Sequence, residues 1–239
     1  MPTFRYLLFD ADETLFDFPR AEHQAILKTL EAFQLPGGED TATLYSRINA
    51  ALWLRFNHGE ITRPQLLQLR FSQLLEALGR TGLSTEEINT RYMQELGKGG
   101  FLLPGALELC QTLREKGYRM AVITNGASVS QHGRFDHSPV TPCFQHIFIS
   151  EDMGCQKPQA VYFDKVCEAM GIRQEDRKET LIIGDSLSSD IQGGRNAGIP
   201  TCWYNPSHKP ADPSIPPDYT VDSYDALLKL LGITEANRE

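Results

Sequence analysis

The sequence predicts an α/β protein: a parallel-sheet core with helices on both faces, interrupted after its first strand by an all-helical insert. Three observations predict it. From Phe101 onward, short apolar runs bounded by polar or turn residues alternate with segments of helical period. Between Phe18 and about Gly99 the period is helical throughout, with no strand signal. Chemically useful side chains recur just past the apolar runs, where a parallel sheet gathers its ligand-binding groups.

The first run, YLLF at residues 6–9, is continuous and apolar, as a central strand covered on both faces must be. Four helical segments follow. Residues 21–33 carry apolar positions at Ile26, Leu27, Leu30 and Phe33; residues 41–56 carry Leu44, Ile48, Leu52 and Phe56, with Trp53 adjacent. A third segment starts near Thr62 with Pro64 in its first turn, where the missing N–H would have been unpaired anyway. It runs through Leu67, Phe71, Leu74, Leu75 and Leu78. The fourth opens at Ser84 with Glu87 three residues on, a capping-box pattern, and stops at Gly97, Gly99 and Gly100. This reading gives a core of residues 1–17 and 100–239 and a helical insert of residues 18–99, with hinges near Phe18 and Gly99.

The alternation then begins. Pro104 and Gly105 open a helix ended by Gly117, and residues 118–124 form a strand that turns at Asn125-Gly126. HIFIS at residues 146–150 is a short strand, and Pro158 opens a helix that reaches Gly171. TLIIG at residues 180–184 is a third apolar strand after the insert, followed by a small-residue helix from about Ser188 to Ala197. Residues 201–204 and 219–221 are further strands, separated by a proline-rich surface loop, and a last helix spans residues 225–231. Such alternation implies right-handed crossovers and a parallel sheet.

Composition narrows the function. The net charge of −8 argues against tracking a nucleic-acid polymer or lying on an anionic membrane. No apolar run reaches the ~18 residues of a membrane span, and the first ten residues lack the pattern of a secretory signal. The five cysteines are odd in number and include no Cys-x-x-Cys pair, the usage of reduced, mostly buried thiols in a cytoplasmic protein. Cys155, in a loop flanked by Gly154 and Gln156, is expected to be partly exposed.

The polar groups at the strand ends carry the chemistry. Asp10 and Asp12 stand one residue apart after the first strand; on an extended segment they would lean the same way and repel, unless a divalent cation lay between them. Taken alone, the stretch reads equally as an acidic turn. Thr124-Asn125-Gly126 offers a hydroxyl and backbone N–H groups for phosphate oxygens, or an ordinary Asn-Gly turn. Lys157 precedes Pro158 at a helix start, where a lysine beside free N–H groups makes an anion pocket, or is simply solvated. Asp185 leaves the TLIIG strand at the same sheet edge as Asp10, and Asp190 could support a metal through hydrogen bonds or water, or favour the helix dipole.

The order Asp-x-Asp-x-Thr, Thr-Asn-Gly, Lys-Pro, Gly-Asp-(x)4-Asp, with a helical insert after the first motif, resembles the haloacid dehalogenase-like hydrolase superfamily over nearly the whole chain. The extended first motif FDADETLFDF and the segment LWLRFNHGEITRPQL are similar to its pyrimidine 5′-nucleotidase branch. The resemblance implies a Rossmann-like core with an α-helical cap, and a phosphatase that works through an aspartyl phosphate. It implies Asp10 as nucleophile and Asp12 as the acid and base. Thr124 and the Asn125 backbone would bind the phosphoryl oxygens, and Lys157 would neutralise the nucleophile and the phosphate. Mg²⁺ would be held by Asp10, Asp185 and the Asp12 carbonyl, with Asp190 in support. The substrate class implied is a small phosphorylated metabolite, a pyrimidine nucleoside monophosphate. A sugar-phosphate or phosphoglycolate-type phosphatase is the alternative, and a non-catalytic phosphate-binding module a remote one. A carbon–halogen hydrolase needs neither Asp12 nor Asp185.

Two positions depart from the family pattern. Residue 13 is Glu where many members carry Gly, which puts an extra acid at the mouth of the site. Gly133 and Pro139 interrupt the helix expected after Thr124, which predicts irregular backbone from Gln131 to Thr141. Of the nearby aromatic residues, Trp53, Phe16 and Phe18 are candidates to stack on a base, with core packing as their competing role.

Overall fold

The structure, a computed structural model, describes residues 4–234. Its centre is a six-stranded sheet in the order β3-β2-β1-β4-β5-β6, comprising Tyr6–Phe9 (β1), Arg119–Thr124 (β2), His146–Ile149 (β3), Thr180–Gly184 (β4), Thr201–Tyr204 (β5) and Tyr219–Val221 (β6). Every pairing is parallel. The first strand therefore lies between β2 and β4, where the strand order reverses. Open α/β sheets bind ligands at the carboxyl ends of such a pair.

The continuous apolar runs have the expected cause. Tyr6, Leu8, Ala121, Ile123 and Ile182 are buried on one face against Tyr162, Phe163, Val166 and Met170 of a helix over Ala160–Met170. The alternate residues Leu7, Phe9, Met120, Val122, Leu181 and Ile183 are buried as well, the coverage on both faces that a parallel sheet requires.

The chain divides into two compact units, and their bounds differ in detail from residues 18–99 and the remainder. One holds the sheet: the chain up to Asp17, Leu102–Ser128, and His137 onward. The other comprises Phe18–Phe101 and Val129–Asp136. The helical unit contains four helices from the first segment, Phe18–Ala32 (α1), Glu39–Asn57 (α2), Arg63–Ala77 (α3) and Thr85–Gly97 (α4). At their centre the rings of Tyr45, Phe71 and Tyr92 lie 5.1–5.6 Å apart. The buried Arg70 guanidinium sits 4.7 Å from the Tyr92 ring and donates to Asn89. Trp53 packs edge-on against Phe56 at 5.4 Å, inside a cluster with Leu52, Ile61 and Leu66. Phe16 is fully buried and Phe18 lies under the Arg134 guanidinium, so all three aromatic candidates have packing roles.

Local expectations needed correction in four places. The reciprocal capping box forms at Thr62 and Gln65, whereas at Ser84 the side chain accepts from the Glu87 N–H without that pairing being returned. Pro158 lies before the helix it was expected to open: the N-cap is Gln159, and the Lys157-Pro158 peptide is cis. The small-residue helix begins as a π-helical turn over Leu187–Ile191 before continuing through Gln192–Ala197. The helix after Thr124 does form, over Ser128–Phe135, and runs through Gly133. A Cβ there would stand 3.0 Å from the Gly97 carbonyl oxygen, so Gly133 serves as a close contact between two backbones within the helical unit.

Among the described residues no helix is long and apolar enough to cross a membrane. All five cysteines are free; four are buried and Cys155 is half-buried.

Candidate active site

The sheet sets the site. Phe9 of β1 is level with Val122 of β2 and Ile183 of β4, and the Asp10 N–H extends the ladder by donating to the Ile183 carbonyl at 2.8 Å. Asp10, the end of β2 at Thr124, and Asp185 just past β4 thus emerge side by side. Carboxylate oxygens of Asp10, Asp185 and Asp190 lie within 4.8 Å of one another.

Asp12 lies past the end of β1, in an isolated parallel bridge with Phe16. β1 ends at Phe9, and the chain then folds back: the Leu15 and Phe16 N–H groups both donate to the Ala11 carbonyl, and Glu13 donates to Phe16. Glu13 makes this turn with a φ of 58°, in the left-handed region that favours glycine. Asp12 is half-buried and lies outside the three-carboxylate group.

Lys157 stands against Asp10, the acid it was expected to neutralise, and its contact with Asp190 is the part sequence reasoning did not give. The lysine is buried to 1%, and its ammonium donates to Asp10 Oδ1 at 2.5 Å, Asp190 Oδ1 at 2.6 Å and the Ile123 carbonyl at 2.9 Å. All three ammonium N–H donors are satisfied by these oxygens, so the side chain is not the solvated lysine the sequence also allowed. Asn125 holds the lysine's backbone in place: its Oδ1 accepts from the Lys157 N–H at 3.0 Å and its Nδ2 donates to the Lys157 carbonyl at 2.8 Å. The Asn125 side chain therefore locates the lysine, a role the sequence assigned to nothing. The buried Thr124 hydroxyl accepts from the Gly126 N–H at 3.0 Å and closes the turn.

Asp190 is fully buried and also accepts from the Ser186 N–H at 3.1 Å. Its carboxylate lies directly over Gly184, where any Cβ would collide with it. Glycine at this strand exit is what lets Asp190 reach the cluster. Asp185 is steadied by its backbone, whose carbonyl accepts from the Trp203 indole at 2.9 Å. Its carboxylate accepts from Lys209 at 3.1 Å.

Electrostatics show a cluster short of positive charge. Burial pushes the Asp10 carboxyl well above its ordinary range; Lys157 opposes this, and Asp190 and Asp185 add to it. Burial likewise pushes Asp185 up to about 6, with Asp190 contributing and Lys209 opposing. For Lys157, burial alone would favour the neutral amine, but Asp10 and Asp190 outweigh it and hold the ammonium above the usual lysine range. A set of hard oxygen donors with strained charge is the chemistry that suits a small divalent cation.

A family model described as haloacid dehalogenase-like hydrolase matches residues 4–198. The chain is 37% identical to pyrimidine 5′-nucleotidase PynA of Streptococcus pneumoniae, over 95% of each chain. It is 33% identical to pyrimidine 5′-nucleotidase YjjG of Escherichia coli, over 95% of this chain and 97% of that one. Among solved structures, the HAD-hydrolase YfnB of Bacillus subtilis bound to magnesium superposes with a TM-score of 0.90 at 39% identity, covering 97% of this chain and 100% of that one.

Proposed function

The chain belongs to the haloacid dehalogenase-like hydrolase family, and on that footing we propose that it is a Mg²⁺-dependent phosphatase acting on pyrimidine nucleoside 5′-monophosphates. The observation that carries the reading is the Lys157 ammonium, buried between Asp10 and Asp190 with Asp185 alongside. A phosphate monoester carries up to two negative charges and repels a carboxylate nucleophile. Attack becomes feasible only where positive charge meets both: Lys157 supplies part of it, and a cation held by the acids would supply the rest.

In this mechanism an Asp10 oxygen forms a bond to phosphorus as the bond to the leaving alkoxide breaks, giving an aspartyl phosphate. Asp12 gives its proton to that alkoxide, then takes one from the water that hydrolyses the intermediate. Lys157 holds the Asp10 carboxylate in one orientation and opposes the charge that accumulates on the phosphoryl oxygens. Thr124 and the Asn125 backbone bind those oxygens. Asp10, Asp185 and the Asp12 carbonyl would hold the cation, with Asp190 supporting. Bound there, Mg²⁺ would draw charge from the phosphoryl oxygens and relieve the repulsion among the acids. The two nucleotidase relatives, each similar over nearly the whole chain, support the nucleotide class.

Phosphate release tests the proposal across nucleoside monophosphates, sugar phosphates and phosphoglycolate, with and without chelator. Pyrimidine 5′-monophosphates should be hydrolysed fastest, and chelation should abolish release until Mg²⁺ is restored. Activity that survives full chelation overturns the mechanism; equal rates for sugar phosphates overturn the substrate class.

A further inference from the structure

Outside the acids and Lys157, one more cation reaches the cluster. Lys209 comes from the loop between β5 and β6, far in sequence from the motifs. Its ammonium lies 3.1 Å from Asp185 Oδ2 and 3.9 Å from Glu13 Oε2. The loop is built to place it. Asn205, buried at the end of β5, donates from Nδ2 to the Lys209 carbonyl at 3.0 Å and accepts the Lys209 N–H on Oδ1 at 2.8 Å. The Asn205 N–H is itself tied to Val221 of β6 at 2.8 Å. The backbone of Lys209 is therefore fixed at both polar groups, while its side chain stays half-exposed. The other partner is equally specific. Glu13 occupies a left-handed backbone position that disfavours a side chain, and its carboxylate lies within range of the same ammonium.

We propose that Lys209 is a tethered counter-cation for Asp185 that competes with the divalent ion, and that Glu13 is the second acid to which it transfers when that ion binds. The inference rests on the metal reading proposed above. The physical reason is charge. A lysine and a divalent ion cannot both lie against one carboxylate without strong repulsion, and a second acid within one side-chain swing accepts the displaced ammonium. Lys209 thus acts through Asp185 as a positioning residue. It sets how tightly the cation is held and keeps the carboxylate oriented.

The test is Mn²⁺ binding to the full chain, read as the loss of the free-ion electron paramagnetic resonance signal. Lys209→Met should tighten Mn²⁺ binding by about three- to tenfold, because a nearby positive charge is removed. Lys209→Arg should stay within about twofold of the unsubstituted chain, because the charge is kept. Glu13→Gln should weaken binding, and by less in the Lys209→Met background than alone. Circular dichroism melts on each variant confirm that folded protein is compared. Unchanged or weaker binding by Lys209→Met overturns the proposal, as does Lys209→Arg behaving like Lys209→Met. A Glu13→Gln effect of the same size in both backgrounds removes Glu13 from it. Absence of Mn²⁺ binding by the unsubstituted chain sinks the metal reading together with this one; binding that Lys209→Met leaves untouched sinks this one alone.

Discussion

At the scale of single residues, the site is a place where charge is held against its preference. Asp10 is buried beside two other acids, with Lys157 bonded to it and to Asp190, so Asp10→Asn removes a repulsion as well as the proposed nucleophile. Turnover should fall by roughly 10³-fold or more, while the melting temperature is not lowered; a large loss of stability would mean that Asp10 is structural. Asp185 gives a pH prediction with a definite sign. Its folded-state pKa of about 6 exceeds the ordinary value of 3.8, so the native protein binds the extra proton. Its contribution to stability is complete below pH 4 and is lost as pH rises through about 6, on the order of 2 kcal/mol. Melts in chelator over that window should show this loss for the natural chain, and Asp185→Asn should not share that part of the slope.

At the scale of elements, strand ends and loop roots do the positioning. The exit of β4 needs glycine because the Asp190 carboxylate occupies the space of a Cβ at Gly184. Gly184→Ala should cost about 1–3 kcal/mol, the usual cost of overpacking, and should also impair phosphatase activity by displacing Asp190 from Lys157. A stable, fully active variant would show that Asp190 is not held as described. The helices of the second unit illustrate a different balance. Thr62 caps α3 through a reciprocal pair with Gln65, so Thr62→Ala should lower stability by about 1 kcal/mol, measured by urea unfolding, and leave cation binding unchanged.

At the scale of the whole molecule, the chain crosses between the two compact units at residues 17/18, 101/102, 128/129 and 136/137. Gly99, near which a hinge was expected, lies two residues before the crossing at 101/102, and a Cβ there would stand 2.7 Å from Ala21 Cβ. All the carboxylates of the site belong to the sheet-bearing unit. Mg²⁺ at one hundred times its dissociation constant should therefore stabilise that unit by about 2.7 kcal/mol. For a chain of this size that is a rise of roughly 5–10 °C in its transition, seen by calorimetry and reversed by chelator. No shift would contradict a cation site.

What the sequence determined by itself was everything written in local pattern. The strands beginning at Tyr6, Thr180, Thr201 and Tyr219 were legible because a buried parallel strand must be a short apolar run, and the insert because its period never leaves that of a helix. The order of the motifs identified the family and brought Asp10, Thr124, Lys157 and Asp185 into view. Only the tertiary structure decided how those groups meet. It ended β1 before Asp12, enclosed Lys157 between two acids, turned Asn125 toward the lysine's backbone and brought Lys209 to Asp185. Each of these joins residues far apart in the chain through a hydrogen bond or ion pair, and such pairings leave no periodic trace in sequence, because they depend on which strand ends become neighbours.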